Sequence, residues 1–151
     1  MALIKIDHIF MKQNLGTQDE VMHFLAAQGV LLGISSDQTA VYHKFLAREE
    51  EGTTGMMDGF AIPHAKDQSI EEAAVVIVQL TNKIDWKSLD GEGTEFVIAL
   101  FIPDSEAGTT HLKLLSQVAR LLMQKEVTNH LKQAQSPAEI AEILNGKLVE
   151  N

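Results

Sequence analysis

The sequence predicts a layered α/β fold with strands sandwiched between helices, and three observations carry that expectation. The segments AAVVIVQL at 73–80 and TEFVIALFI at 94–102 are continuous apolar runs bounded by turn residues, the pattern of strands covered on both faces. Capped helix patterns precede these runs, and helical stretches follow them. The chain has 151 residues, 45% of them apolar, and no internal repeat or linker-like stretch. One domain over residues 1–151 is therefore expected, large enough to bury about 70% of its unfolded surface.

Taken in order, Thr17-Gln18-Asp19-Glu20 is a capping box opening a helix through Val21, Phe24, Leu25 and Gln28, with Gly29 as its expected stop. Ser36 and Asp37 offer caps for a second helix, in which Val41, Phe45 and Leu46 recur at helical spacing until Glu51-Gly52-Thr53-Thr54-Gly55 turns the chain. Phe60 to His64 reads as a strand, and the two apolar runs follow as further strands. After Asp104 to Gly108, Thr109 or Thr110 can cap a helix whose polar positions Lys113, Gln117, Arg120 and Gln124 form one narrow stripe, so this helix is expected to be mostly buried. Helical character resumes after Glu126. Ser136-Pro137-Ala138-Glu139 then joins a capping box to proline at the first helical position, ahead of Ile140, Ile143 and Leu144, with Gly146 as the stop.

Composition removes several function classes. With 12 Lys+Arg against 21 Asp+Glu the net charge is −9, and scattered basic residues give no footprint for a phosphate backbone, so no nucleic-acid partner is expected. The absence of cysteine rules out disulfides and thiolate chemistry. The apolar runs fall short of the roughly 18 residues of a membrane span, and Lys5, Asp7 and Lys12 interrupt the N-terminal apolar residues, unlike a secretory signal. No membrane insertion and a cytoplasmic location are the expectations. Neither a Walker-type nor a Gly-x-Gly-x-x-Gly motif is present, and His64, Asp67 and His111 lack the compact spacing of a zinc site, so no bound metal is expected.

Six histidines are the candidate nucleophiles. His8, His23, His43 and His130 have no partner residue at a meaningful spacing and read as structural or solvated positions. His64 differs. Gly52, Thr53, Thr54, Gly55 and Gly59 lead into Phe60-Ala61-Ile62-Pro63-His64, where glycines let amides approach an anion and Pro63 stiffens the approach to the imidazole. Neutral imidazole is a nucleophile, and its phosphorylation needs an in-line donor and charge stabilisation; the same pattern also fits an edge-strand histidine beside a tight turn. His111 falls in the first turn of its helix, where amides attract anions, and equally fits a solvated capping-turn histidine. Arg48, ahead of the glycine-rich loop, offers a fork of donors for phosphoryl oxygens or for the Glu49-Glu50-Glu51 run, which itself reads as a solvated face. Met56, Met57 and Phe60 fit core filling or an adaptable docking surface.

Arg48-Glu49-x-x-Gly52-Thr53-Thr54-Gly55-x-x-x-Gly59-Phe60-Ala61-Ile62-Pro63-His64-Ala65 resembles the signature of the fructose/mannitol-type enzyme IIA domains of the bacterial phosphoenolpyruvate-dependent sugar phosphotransferase system. The likeness extends to Ile84-Asp85-Trp86-x-Ser88-Leu89-Asp90-Gly91, to Phe101-Ile102-Pro103 and to His111-Leu112-x-Leu114-Leu115-Ser116-x-x-Ala119-Arg120. The resemblance implies a mixed β-sheet flanked by helices on both faces. It implies a phosphocarrier without a cofactor, in which His64 accepts a phosphoryl group originating from phosphoenolpyruvate through enzyme I and HPr. The group then passes to a cysteine of enzyme IIB, which serves a membrane enzyme IIC taking up fructose or a related sugar or hexitol. The chain's own lack of cysteine agrees with a IIA component separate from IIB. By the same resemblance His111 and Arg48 stabilise the phosphoryl group, and Thr54 supplies a nearby loop hydroxyl. Nitrogen-type relatives share the signature and act instead as regulators that control partner proteins through their phosphorylation state. The loop departs from the pattern: many relatives read Gly-Ile-Gly-Asn-Gly where this chain has Gly55-Met56-Met57-Asp58-Gly59, and Asp58 either points away from the site or tunes its transfer potential.

Overall fold

The structure, a computed structural model, describes residues 3–106 and 109–148; the side chains of residues 106 and 109–111 lie outside that description. A mixed sheet is built from β1 (Ile9–Gln13), β2 (Phe60–Ala61), β3 (His64–Asp67), β4 (Ala74–Ile84) and β5 (Thr94–Pro103). Its order is β1-β4-β5-β2, with β3 continuing the β2 edge: β1 is parallel to β4, β4 antiparallel to β5, and β2 and β3 both parallel to β5. Five helices, α1 (Gln18–Leu31), α2 (Gln38–Glu51), α3 (Thr109–Leu121), α4 (Lys125–Gln133) and α5 (Pro137–Asn145), complete the expected mixed sheet with helices on both faces.

The period-2 alternation of side chains explains why the two central strands are apolar over 74–78 and 96–103, where both faces are covered. On one face Val75 and Ile77 of β4 join Phe96, Ile98, Leu100 and Ile102 of β5 under Leu114, Val118, Val127, Leu131, Ile140 and Leu144 of α3, α4 and α5. On the other, Val76, Val78, Val97, Ala99 and Phe101 pack against Val21, Met22, Leu25, Val41 and Phe45 of α1 and α2. Every one of these residues is buried, so each central strand serves two cores at once.

The caps are those the sequence offers. Thr17 accepts from the Glu20 amide at 3.1 Å, Asp37 rather than Ser36 accepts from Ala40 at 3.0 Å, and Ser136 accepts from Glu139 at 3.3 Å. Gly29, however, does not stop α1. It lies buried within the helix, where a Cβ would stand 2.8 Å from the Phe101 ring, and Gly33, at φ +76°, ends the turn that follows. A glycine needed for close packing has the same letter as one needed for a left-handed turn. Helix α3 is amphipathic rather than mostly buried: Leu114, Val118 and Leu121 face the core while Leu112 is 55% exposed, and Gln124 lies beyond its end. The helix covers one side of the sheet only, so a single stripe meets apolar neighbours. The strand expected over 60–64 is split at Ile62-Pro63, and β1 went unpredicted because five residues bearing Lys12 and Gln13 carry a weak pattern. Among the described residues no helix is long and apolar enough to cross a membrane.

Candidate active site

His64 opens the edge strand β3 opposite Leu100 of β5, and its imidazole is half-buried. Proline places it there. Pro63 has no N–H to give the ladder, so the edge breaks at this point, yet its carbonyl still accepts from the Leu100 amide at 3.0 Å and keeps the strand in register. Because β3 lies at the edge, the last turn of α2 reaches past it: Arg48 Nε donates to His64 Nε2 at 2.9 Å, and Arg48 Nη1 donates to the Gly52 carbonyl at 2.8 Å. A guanidinium can only donate, so Nε2 must carry the lone pair, and the ring proton sits on Nδ1, 3.0 Å from the Ile62 carbonyl that accepts it. The backbone thus fixes the imidazole as the Nδ1–H tautomer, with its nucleophilic nitrogen turned toward an arginine.

The loop between α2 and β2 is tied at several points. Glu49 accepts from the Thr54 amide at 2.9 Å and from the Thr54 hydroxyl at 2.5 Å, and the Thr53 hydroxyl lies within reach of both Glu49 and the Lys87 carbonyl. Gly55 bridges Ala61 on one side and Ser88 on the other, and its Cα approaches the Lys87 carbonyl so closely that a Cβ would stand 2.1 Å from the oxygen. The turn closes through the Met56 amide on the Phe60 carbonyl at 2.7 Å, with Asp58 at φ +64° and Gly59 at φ +85°. Asp58 points away from the site. Its carboxylate accepts from Thr128 of α4 at 3.1 Å and lies 3.6 Å from Lys132, whose ammonium also stands over the Phe60 ring.

Segment 84–91 buttresses this loop from below. The Leu89 amide donates to the Met56 carbonyl at 3.2 Å, Asp90 accepts from the Asp58 amide at 2.9 Å, and Trp86 is buried beside them in the α1–α2 core. That amide, with further hydrogen bonds from Glu92 and Ser88, holds the Asp90 carboxyl below the usual aspartate range.

The model of the family described as phosphoenolpyruvate-dependent sugar phosphotransferase system, EIIA 2, matches residues 2–147. The chain belongs to that family. It is 30% identical to the PTS system 2-O-alpha-mannosyl-D-glycerate-specific EIIABC component of Escherichia coli, a match over 93% of this chain and only 22% of that protein. Other multidomain relatives are spanned to 17–20% of their length. It is also 30% identical to a nitrogen regulatory protein of Bradyrhizobium diazoefficiens, over 94% of this chain and 92% of that one. Among solved structures it is similar to the nitrogen regulatory protein IIA-Ntr from Neisseria meningitidis, with TM-score 0.85, 26% identity and coverage of 94% and 96% of the two chains. The fold is shared with enzyme IIAMTL in its complex with phosphorylated enzyme IIBMTL from Escherichia coli, with TM-score 0.79, 20% identity and coverage of 95% and 97%.

As an EIIA-family chain it is a phosphotransferase component, and its predicted site residues are distributed as follows. His64 and Arg48 are brought into direct contact, and Arg48 pairs with none of Glu49, Glu50 or Glu51. His111 lies in the first turn of α3, and its side chain falls outside the described residues, as do those of Thr109 and Thr110. The Thr54 hydroxyl is committed to Glu49, and only 4% of the residue is exposed. The reading of the acidic run as a solvated face is corrected at Glu49, which is half-buried and holds the loop; Glu50 and Glu51 are exposed. Phe60 is fully buried and Met56 packs against the core, leaving Met57 exposed. His8, read as structural, is buried with Nδ1 on the Val75 carbonyl at 3.2 Å.

Sequence reasoning missed Glu49 and Asp90 as loop-holding residues. Glu49 sits in a run of three glutamates, and only its position, five residues ahead of Thr54 across a helix end, distinguishes it. Among the described residues no cluster of three or more His, Asp or Glu side chains is arranged to hold a metal ion.

Proposed function

We propose that this EIIA-family chain is a phosphocarrier in which His64 Nε2 accepts the phosphoryl group of phospho-HPr and delivers it to a cysteine of an enzyme IIB, during uptake of fructose or a related sugar by enzyme IIC. The observation that carries the reading is the fixed tautomer: Nδ1–H bound to the Ile62 carbonyl leaves Nε2 as the nucleophilic atom. The Nε2 lone pair attacks phosphorus as the donor's N–P bond breaks, its electron pair returning to the donor nitrogen. The positive charge gained by the His64 ring is stabilised at Nδ1–H by the Ile62 carbonyl, while Arg48 moves from Nε2 onto the phosphoryl oxygens it suits. Onward transfer reverses this, a thiolate forming the S–P bond as the Nε2–P bond breaks. His111, from the first turn of α3, and Thr54 are proposed to assist at the phosphoryl oxygens, Thr54 once its hydroxyl is released by Glu49.

Intact mass after incubation with phosphoenolpyruvate, enzyme I and HPr tests this. An acid-labile phosphoryl adduct is expected on the wild type and not on His64→Ala, whereas full phosphorylation of His64→Ala overturns the assignment. His111→Ala is expected to retain acceptance and to slow discharge to IIB.

A regulatory role is the second reading, supported by the likeness to nitrogen regulatory proteins, one of them a solved structure at TM-score 0.85 and 26% identity. Discharge of the adduct by a IIB protein supports transport. A stable adduct that no IIB discharges, with partner binding that differs between the two phosphorylation states, supports regulation.

A further inference from the structure

Arg48 and Glu49 are neighbours of opposite charge at the end of α2, yet they do not pair. The carboxylate of Glu49 turns to the loop and is occupied by Thr54 N at 2.9 Å, Thr54 Oγ1 at 2.5 Å and Thr53 Oγ1 at 3.1 Å, while the guanidinium of Arg48 turns to His64 and Gly52. Resting on the function proposed above, we propose that Glu49 is a positioning residue: it folds the turn at 52–55 so that the Gly52 carbonyl holds Arg48 on His64 Nε2.

The chemistry of the carboxylate supports this. An ionised carboxylate has only acceptors, and it gathers donors that would otherwise face one another across a tight turn. The Thr54 hydroxyl and amide approach its two different oxygens, a fork that fixes orientation as well as distance. With Thr54 pinned, its carbonyl accepts from the Ile62 amide at 3.0 Å, one residue before the proline that sets His64. The same turn presents the Gly52 carbonyl to Arg48 at 2.8 Å. Glu49 therefore acts on both partners of the Arg48–His64 contact, on Arg48 through Gly52 and on His64 through Thr54 and Ile62. By keeping its own charge engaged with the threonines it also leaves the guanidinium directed to His64 and Gly52, with no carboxylate partner among the described residues, and available to an incoming phosphoryl group.

Glu49→Gln conserves shape but turns an amide N–H toward donors. In the full chain labelled with nitrogen-15, wild-type His64 is expected to show an unprotonated Nε2 and a protonated Nδ1. In Glu49→Gln the His64 nitrogen shifts are expected to move toward the Nε2–H form that free histidine prefers. The initial rate of phosphorylation by phospho-HPr should fall about tenfold to a hundredfold, with KM for HPr changed less than about twofold. Thermal unfolding establishes that the variant is folded. Should it not fold, Thr54→Val removes the hydroxyl from the other side and is expected to give the same displacement, while Thr54→Ser restores wild-type shifts. A folded Glu49→Gln or Thr54→Val with wild-type shifts overturns the proposal, whatever its rate. Failure of wild type to accept a phosphoryl group would instead overturn the functional reading, and the nitrogen shifts would still decide whether Glu49 sets Arg48 on His64.

Discussion

Asp58 and Thr128 lie 70 residues apart and are joined by a 3.1 Å hydrogen bond that ties the loop ahead of His64 to α4. A residue that departs from the resembling loop pattern is thereby explained as an anchor, because its charge is directed to Thr128 and Lys132 on the surface of α4. Asparagine also tolerates positive φ and keeps an acceptor for Thr128. Asp58→Asn is expected to lower stability by less than about 1 kcal/mol, since the half-exposed Lys132 pair is weak. Asp58→Ala, losing the bond at a φ of +64°, should lower it by about 1–2 kcal/mol. Urea unfolding measures both, and an equilibrium phosphotransfer constant with HPr unchanged in Asp58→Asn separates anchoring from tuning.

Gly55 permits the contact on which the loop rests. An alanine Cβ would stand 2.1 Å from the Lys87 carbonyl oxygen and 3.0 Å from Ser88 Cα, both backbone atoms that cannot rotate away. One of the two segments must move. Gly55→Ala is expected to destabilise by about 2 kcal/mol or more, as overpacking against backbone does, and calorimetry should show a fall in Tm of about 4–8 °C. Gly52, whose added Cβ meets no atom within 4 Å, is the control: its alanine variant should unfold close to wild type.

The contrast between those two glycines marks what a sequence shows and what it hides. The double-sided strands at 74–84 and 94–103 are legible because burial on both faces demands unbroken apolar runs, here 74–78 and 96–103. Caps at Thr17, Asp37 and Ser136 are legible because hydroxyl and carboxylate chemistry at a helix start is local. Gly29 misleads because its reason is Phe101, 72 positions away, and Glu49 is missed because its reason is a turn that doubles back on the helix end. His64 and Arg48 are singled out from neighbours in sequence, but that they touch depends on β3 being an edge strand within reach of the end of α2, and the local pattern, which fits an edge strand, says nothing of where α2 ends.

Acid should weaken one identifiable interaction. Burial at the end of β3 pushes the Asp67 carboxyl up, but hydrogen bonding from Ser69, whose amide donates at 3.0 Å, and the Lys44 ammonium at 3.7 Å outweigh it and hold the group below the usual aspartate value. A depressed folded-state pKa contributes stability that is complete above the unfolded value of about 3.9 and is lost as pH falls through the folded one. Asp67→Asn is accordingly expected to be less stable than wild type from about pH 5 to 7, with the difference shrinking below about pH 4. Urea midpoints across that range test it, and a gap that widens on acidification would reverse the assignment.

Arg48 contacts two sites at once, Nε to His64 Nε2 at 2.9 Å and Nη1 to the Gly52 carbonyl at 2.8 Å, and no lysine can reproduce both. An ammonium is a point donor on a flexible stem, whereas the guanidinium holds its two donors at a fixed angle. Arg48→Lys retains the charge and should fold as wild type does, because Arg48 is only half-buried and contributes to neither core. The phosphorylation rate from phospho-HPr should nevertheless fall by about 10- to 100-fold, the usual loss when a preorganised donor to developing phosphoryl charge is misplaced. If charge alone stabilised the transferring group, the lysine variant would react at nearly the wild-type rate and Arg48→Gln would be the slow one. Measuring both variants against the same phospho-HPr decides between a fixed fork and a nearby positive charge.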